Sequence, residues 1–239
     1  MAQIRLDKLL SEAGFCSKKR AKQFLNVSKV LVNGVRILEP GLKVDSDVDQ
    51  IVVNGTKVQG VEEKVYYLLN KPKGVVVTVS DELNRPTVVS LIPEKKRIFP
   101  VGRLDENTSG LIILTNDGEF SNKLTHPSFH IPKTYELTIQ GYIPKPALAK
   151  LKNGVELSDG VTLPALVPVV QKGQNQTIIE LVLFEGRNRQ IRRMCGKLKL
   201  ELLNLRRVAI GKVSDNNLVI GKYRKLTAEE VEVLKEADE

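Results

Sequence analysis

The sequence predicts an α+β protein in which a small helix-and-hairpin module, residues 1–60, precedes a larger domain, residues 61–239, with a mixed, largely antiparallel sheet. Two observations support this fold class. Two short amphipathic helices and two hairpin signatures fill the first segment. After it, short β-type runs outnumber helical stretches without strict alternation. The polar stretch GVEEK, residues 60–64, marks the boundary between them.

The first module is predicted element by element. Apolar residues at helical spacing in LDKLLSEA predict a helix that stops at Gly14. Ser17 is placed to cap a second helix. Its first turns are predicted to expose four cations, Lys18, Lys19, Arg20 and Lys22. Asn33-Gly34 and Asn54-Gly55, each between β-branched runs, predict two tight hairpins.

The larger domain alternates irregularly between strand and helix patterns. The predicted strands are VYYLLN, GVVVTV, GLIILTN, TYELTIQ and TIIELVLF. Helical stretches are predicted near Glu119–Leu124, Lys145–Leu151, Arg189–Leu198 and Thr227–Ala237. The last begins with a capping box formed by Thr227 and Glu230.

Composition narrows the class of protein. The formal net charge is +9, and one cluster holds nine lysines and arginines against one acid between Arg187 and Lys212. A second basic cluster occupies residues 1–30 and includes Arg5. Two separated basic clusters indicate two contact zones on an extended polyanion such as RNA, although a basic chain can also lack such a partner.

The remaining bulk properties exclude other classes. No apolar run reaches the roughly 18 residues that a membrane span needs, and Asp7 interrupts any export signal, so no membrane association is expected. Cys16 and Cys195 form neither a disulfide framework nor a CxxC zinc pattern, which favours a cytoplasmic protein. No phosphate loop or dinucleotide fingerprint is present. We therefore expect no metal, no cofactor and no nucleotide.

One carboxylate stands out in PVGRLDENTSGLIILTNDGEF, residues 100–120. Asp105 precedes a polar loop and an apolar strand, so it is predicted at the edge of a sheet, where it can face a cleft. Arg103 beside it can meet a phosphate or fill the space left by a displaced base. From spacing alone, an ordinary loop aspartate that caps a turn explains the position as well.

Several motifs in order resemble one family. They are YYLLNKPKGVV, GRLDENTSGLIILTNDG, IPKTYELTI and EGRNRQIRRMC, preceded by LDKLLSEAGFCSKKRAKQFL, which is similar to the alpha-L RNA-binding module. The set resembles the ribosomal small-subunit pseudouridine synthase A family, which includes the B, E and F types that act on the large subunit. RIFPVGRLD and NRQIRRMC are most similar to the F type and then the B type. Asn188 or Arg189 replaces a histidine common in the third motif, as in the B and F branches, which bears on the target rather than on catalysis.

The resemblance implies a function and a site. The protein would isomerise a uridine of ribosomal RNA to pseudouridine, and the resemblance to the B and F types favours large-subunit RNA as the target. One active cleft per chain requires no partner subunit, so a monomer is expected. Asp105 would be the catalytic carboxylate in a site that excludes water, and Arg192 would keep it ionised. Tyr135 would stack on the extruded base, although a core tyrosine is the alternative. RNA contacts are expected from Arg187, Arg189 and Arg193, with Lys71 at a turn as phosphate or active-site support. Leu205 is read as an ordinary core leucine.

Two other functions fit parts of the pattern. A non-catalytic ribosomal RNA binder, such as an assembly factor, would use the same charge and the same first module, but it need not keep Asp105, Tyr135 and Arg192 together. An RNA-binding hydrolase would need Asp105 to hold a metal, and no second set of ligands is evident. His126 and His130, four residues apart with Pro127 between them, are read as structural.

Overall fold

A computed structural model describes residues 3–46, 48–58 and 62–236 of the chain. They fall into two compact units. The first, unit 1, comprises Met1–Val65 with Glu94–Arg97 and Asn116–Gly118, and the second, unit 2, comprises Tyr66–Pro93, Ile98–Thr115 and Glu119–Glu239. The predicted boundary at GVEEK falls partly on residues 59–61, which lie outside the described part.

Unit 1 begins with two short helices, α1 (Leu6–Glu12) and α2 (Ala21–Val27). As predicted, α1 stops at Gly14, whose φ of 81° is the left-handed value that glycine adopts without strain. The N–H of Phe15 donates to the carbonyl of Leu10 at 3.0 Å, which completes the end of the helix. The expectation for Ser17 was only half right: it precedes the second helical segment, but its side chain makes no cap hydrogen bond, and the segment starts with a 3-10 turn, Lys18–Arg20.

Both predicted hairpins of unit 1 are confirmed. Its strands are β1 (Ile4–Arg5), β2 (Val30–Val32), β3 (Val35–Arg36), β4 (Lys43–Val44), β5 (Ile51–Val53) and β6 (Thr56–Lys57). They pair in the order β3-β2-β5-β6, with β1 and β4 as a separate pair. Asn33 and Asn54 have φ of 51° and 50°, and the glycine after each is also left-handed. These are the values that two-residue hairpin turns require.

Unit 2 is built on a mixed sheet. Its strands are β7 (Tyr66–Lys71), β8 (Phe99–Val101), β9 (Ser109–Thr115), β10 (Lys133–Gln140), β11 (Glu156–Leu157), β12 (Gly160–Val161), β13 (Val170–Lys172), β14 (Gln176–Leu183), β15 (Leu202–Ile210), β16 (Val213–Ser214) and β17 (Tyr223–Lys225). The main path runs β13-β14-β10-β15-β9-β7-β17. β9 and β15 pair in parallel, whereas the other strand pairs of this sheet are antiparallel. The predicted mixed, largely antiparallel sheet is therefore confirmed.

The predicted helices of unit 2 are confirmed as well. They are α3 (Gly118–Thr125), which begins on the last residue of unit 1, α4 (Lys145–Asn153), α5 (Gln190–Lys197) and α6 (Ala228–Lys235). The capping box of α6 is formed, because the Thr227 side chain accepts from the Glu230 N–H and the Glu230 carboxylate accepts from the Thr227 N–H. The predicted end at Ala237 lies outside the described residues. No helix in the described ranges is long and apolar enough to cross a membrane.

One close approach brings two strands of unit 2 together. Gly110 of β9 lies opposite Arg207 of β15, where the two strands pair in parallel. Its φ is 112°, and a Cβ at this position would overlap the backbone of Arg207. Glycine is therefore required where the strand that follows Asp105 joins β15.

Candidate active site

Asp105 lies in the loop between β8 and β9, as the sequence predicted. Its carbonyl accepts a hydrogen bond from the Thr108 N–H at 3.0 Å, which closes a tight turn. Its side chain is 29% exposed. No donor among the described residues hydrogen-bonds its carboxylate. The expectation of a site that excludes water is wrong for the free protein, in which this carboxylate still meets solvent.

Two arginines flank the carboxylate. The Nε of Arg192, on α5, lies 3.7 Å from Oδ2 of Asp105, and Nη1 of Arg189 lies 3.8 Å from the same oxygen. Arg192 is anchored to the same loop, because its Nη2 donates to the carbonyl of Asn107 at 2.9 Å and to Oγ1 of Thr108 at 3.1 Å. Its Nε is shielded from solvent and has no hydrogen-bond acceptor. The structure thus brings the predicted pair Asp105 and Arg192 together as an ion pair without a direct hydrogen bond.

Three hydrogen-bond donors hold Glu106, the residue after Asp105. The carbonyl of Glu106 accepts from the Gly74 N–H at 3.0 Å and from Nζ of Lys71 at 3.2 Å. Its carboxylate accepts from Nη1 of Arg85 at 3.2 Å. Arg85 is itself fixed by Asp81, with Nη2 to Oδ1 at 2.7 Å. This network ties the loop that carries Asp105 to the segment after β7.

The role expected for Lys71 as an RNA contact needs correction. Its side chain is fully buried, and Nζ donates to the carbonyls of Pro72 at 2.8 Å, Val75 at 2.7 Å and Glu106. Burial lowers the pKa of Lys71 to about 8, against the opposing charges of Glu106 and Asp105. A lysine in this position cannot reach a phosphate. It supports the Asp105 loop, which is the other reading that the sequence left open.

A cleft of about 370 Å³ opens beside Asp105 within unit 2. Tyr135, on β10, lines it together with Asp105, and its ring is half-buried against the adjacent core. Leu205, which is 5% exposed, belongs to that core and also lines a smaller cavity of about 80 Å³ beside Asp105, Tyr135 and Arg192. The structure therefore gathers the three residues that the sequence assigned to catalysis, Asp105, Tyr135 and Arg192, around one opening.

The predicted RNA-contacting arginines differ in how they are held. Arg193 makes a bidentate pair with Asp159, at 2.8 and 2.9 Å. Arg187 donates to Glu185 at 2.9 Å and to the carbonyls of the turn at residues 159–161. The guanidinium groups of both arginines therefore already donate hydrogen bonds to protein acceptors. Arg103 and Arg189 line the cleft without a hydrogen bond from their guanidinium groups to any described residue.

The cations of unit 1 form an exposed basic turn. Lys18, Lys19, Arg20 and Lys22 are exposed, as predicted, and no side-chain hydrogen bond or ion pair links them to another described residue. Arg5 is instead paired with Asp7, with Nη2 to Oδ2 at 2.8 Å, and remains half-exposed. The structure thus leaves four of the five predicted N-terminal cations free to bind a polyanion.

Sequence reasoning did not assign four of the residues that line the cleft to the site. Lys133 and Arg207 line it next to Tyr135, and His126 and His130 lie at the same opening. Lys133 immediately precedes the predicted strand TYELTIQ and lies two residues before Tyr135, which was a readable signal once the strand is extended by one residue, because alternate residues share a face. Arg207 gave no such signal, since its place depends on pairing between distant strands. Within the described part of the chain, no three His, Cys, Asp or Glu residues are grouped to hold a metal ion.

The fold and the cleft together define a class of α+β protein. One unit carries an exposed basic turn suited to RNA, and the other carries a carboxylate between two arginines beside a cleft, as in an enzyme. A family model described as RNA pseudouridylate synthase matches residues 65–197, and a model of the S4 domain matches residues 4–51. The first covers more than half of the chain. The chain therefore belongs to the RNA pseudouridylate synthase family, as the motifs indicated.

Individual relatives agree with this assignment. The chain is 43% identical over 234 residues to the ribosomal large subunit pseudouridine synthase B of Bacillus subtilis (strain 168), covering 97% of this chain and 95% of that protein. It is 36% identical to an RNA pseudouridine synthase of Aquifex aeolicus (strain VF5), covering 97% and 93%. A crystal structure of a pseudouridylate synthase superposes with a TM-score of 0.70 at 30% identity, covering 97% of this chain and 99% of the other.

Proposed function

We propose that this protein isomerises a specific uridine of large-subunit ribosomal RNA to pseudouridine, with Asp105 as the catalytic carboxylate. The observation that carries the assignment is the open carboxylate of Asp105, which no protein donor occupies, held between Arg189 and Arg192 at the mouth of a cleft. The relative from Bacillus subtilis supports a large-subunit target, because its name specifies that subunit. It also favours the B type over the F type that the sequence motifs suggested first.

The reaction needs few groups, and the cleft offers them. The bond between N1 of uracil and C1′ of ribose breaks, the base turns, and C5 bonds to C1′, after which C5 loses its hydrogen as a proton and N1 gains a proton. Asp105 either attacks C1′ or removes a proton from the sugar, and Arg189 and Arg192 lie beside its carboxylate in both routes. Tyr135 offers a flat surface for a base lifted out of its stem, which offsets part of the few kcal/mol that unstacking costs.

RNA must also be held away from the reacting nucleotide. The exposed turn at Lys18, Lys19, Arg20 and Lys22 is the proposed phosphate-binding face of an N-terminal domain that we assign to residues 1–60, with the catalytic domain at 61–239. Arg103 and Arg189 are the proposed RNA contacts of the cleft. Because the cleft is lined by one compact unit of one chain, a monomer suffices, which light scattering will test. A ribosomal RNA substrate implies a cytoplasmic location, which cell fractionation will test.

The decisive experiment uses Asp105→Asn and ribosomal RNA carrying tritium at C5 of uridine, isolated from cells that lack this protein. The wild-type protein should release tritium from large-subunit RNA, and Asp105→Asn should release none while binding the RNA with unchanged affinity. Glu156→Gln, an exposed carboxylate outside the cleft, is the matched control and should behave as wild type. Release by Asp105→Asn at the wild-type rate would refute the mechanism, and a wild-type protein that binds without releasing tritium would indicate a non-catalytic RNA binder.

A further inference from the structure

Two cations that line the cleft, Lys133 and Arg207, have no part in the chemistry proposed above. Lys133 lies two residues before Tyr135 on β10, so both side chains lie on the same face of the strand. Arg207 of β15 is the direct cross-strand neighbour of Tyr135. All three side chains line the cleft that contains Asp105. A substrate base that lies on Tyr135 therefore has these two cations beside it.

Neither cation has an acidic partner in the described structure. Arg207 is 4% exposed, and its Nε donates to the carbonyl of Leu111 at 2.7 Å, whereas its Nη2 is buried with no acceptor. Nζ of Lys133 donates only to the carbonyl of Leu124, at 3.1 Å. The two carboxylates that line the cleft are engaged elsewhere, Asp105 with Arg189 and Arg192, and Glu185 with Arg187.

Keeping these two charges together without an anion is unfavourable. Burial, and to a smaller extent the charge of Arg207, together lower the pKa of Lys133 to about 8. Buried charges in folded proteins are normally paired, because taking an ion out of water costs several kcal/mol. Arg207, buried with a nitrogen that lacks an acceptor, and the half-buried Lys133 line the same cleft and thus indicate a place where a ligand supplies the negative charge.

We propose that Lys133 and Arg207 form an anion-binding subsite that takes the phosphodiester attached to the ribose of the target uridine. This inference rests on the proposed function, which places the ribose against Asp105 and the base on Tyr135. The phosphates on that ribose are the anionic groups closest to the reacting carbon, whereas the uracil carbonyls are neutral. A guanidinium and an ammonium together suit a phosphate, since the first supplies a planar fork of donors and the second a compact charge. The subsite would thereby fix the sugar of the extruded nucleotide.

Titration calorimetry with small ligands tests the subsite without requiring catalysis. The probes are uridine 3′,5′-bisphosphate, uridine and inorganic phosphate, each added to the full-length protein. The bisphosphate should bind about tenfold more tightly than uridine, which corresponds to one charge-assisted contact of about 1.4 kcal/mol. Lys133→Met should abolish that advantage, and Lys133→Arg should keep most of it. Lys150→Met, which removes the same charge from the exposed face of α4, should leave the advantage unchanged.

Each contrary outcome is distinct. Equal binding of uridine and the bisphosphate to the wild-type protein overturns the subsite, as does a Lys133→Met variant that retains the tenfold advantage. Inorganic phosphate that binds as tightly as the bisphosphate overturns the assignment to the nucleotide backbone. Loss of binding by both Lys133→Met and Lys133→Arg, together with a lowered melting temperature, shows a structural role and also overturns the proposal. Tritium release by the wild-type protein is scored separately, so failure of the enzymatic function is not mistaken for failure of the subsite.

Discussion

Lys71 is the buried group whose removal is most informative. Replacing it by methionine keeps the length of the side chain but deletes three donations to carbonyl groups, those of Pro72, Val75 and Glu106. A carbonyl left without its donor costs about 1–3 kcal/mol, and relief of the buried charge offsets part of the total. We therefore expect Lys71→Met to lower the free energy of unfolding of unit 2 by about 3 kcal/mol at pH 7.

The pH dependence of the free energy of unfolding provides a second test of Lys71. The pKa of Lys71 falls from 10.5 to about 8 on folding, which corresponds to about 3 kcal/mol. Between these values the unfolded chain binds more protons than the folded chain, so Lys71 makes stability rise with pH. About 2 kcal/mol of that rise falls between pH 7 and 9.5. Wild type should gain it and Lys71→Met should not, so the difference between the two proteins should widen by that amount.

Tyrosine fluorescence during urea unfolding is the suitable assay. The chain has five tyrosines and no tryptophan, and all five tyrosines lie in unit 2, so the signal reports the unit that contains Lys71. Lys133 titrates in the same range, but it is present in both proteins, so its contribution cancels in the difference. A gap that stays constant from pH 7 to 9.5 would show that Lys71 is not the titrating buried cation and would refute the reasoning.

Three further predictions test the site and its supports. Gly110→Ala should lower the free energy of unfolding by about 3 kcal/mol or more in the same urea assay, since its methyl group would meet the backbone of Arg207, and an undiminished midpoint would contradict the close approach. Arg192→Gln should reduce kcat for tritium release by about 100-fold with little change in the Kd for RNA, because it removes charge stabilisation beside Asp105; an equal loss in Kd would make it an RNA contact instead. A variant with alanine at all four cations of the basic turn, Lys18, Lys19, Arg20 and Lys22, should bind RNA with a slope of log K against log salt that is smaller by about 3. Filter binding at several salt concentrations will measure this slope. An unaltered slope would exclude the turn as a contact zone.

Local elements were predictable because their signals are local. Asn33-Gly34 takes the left-handed conformation that a two-residue hairpin demands, and Thr227 with Glu230 forms the capping box that its spacing indicates. Each of these structures depends on residues within four positions of one another. The order of the strands was not predictable in this way, because β9 lies between β15 and β7, and pairing between such distant segments leaves no local pattern.

The candidate site was also predictable only in part, because some of its residues have local signals and others do not. The motif around Asp105 carried enough information to place a carboxylate at the edge of a sheet, and the resemblance to a family joined it to Tyr135 and Arg192. Arg189 was expected to contact RNA, yet its Nη1 also lies 3.8 Å from Oδ2 of Asp105. Its backbone at the start of α5 is left-handed, a conformation that the sequence pattern did not predict.

Net charge is a poor guide to which cations meet RNA, and the buried lysines show why. Lys71 and Lys73 stand in the same short motif, NKPKG, and look equivalent in sequence. Lys71 is fully buried on three carbonyls because it is the last residue of β7, in which every residue from Tyr67 onward is buried, whereas Lys73 is exposed in the turn that follows. Lys133 is different again, since it is desolvated but faces the cleft without an acid. The formal charge of +9 therefore combines three kinds of cation: those that support the catalytic loop, as Lys71 does, those proposed to bind a ligand, as Lys133 is, and those that are solvated, as Lys73 is. The contacts of each side chain distinguish them, whereas the net charge does not.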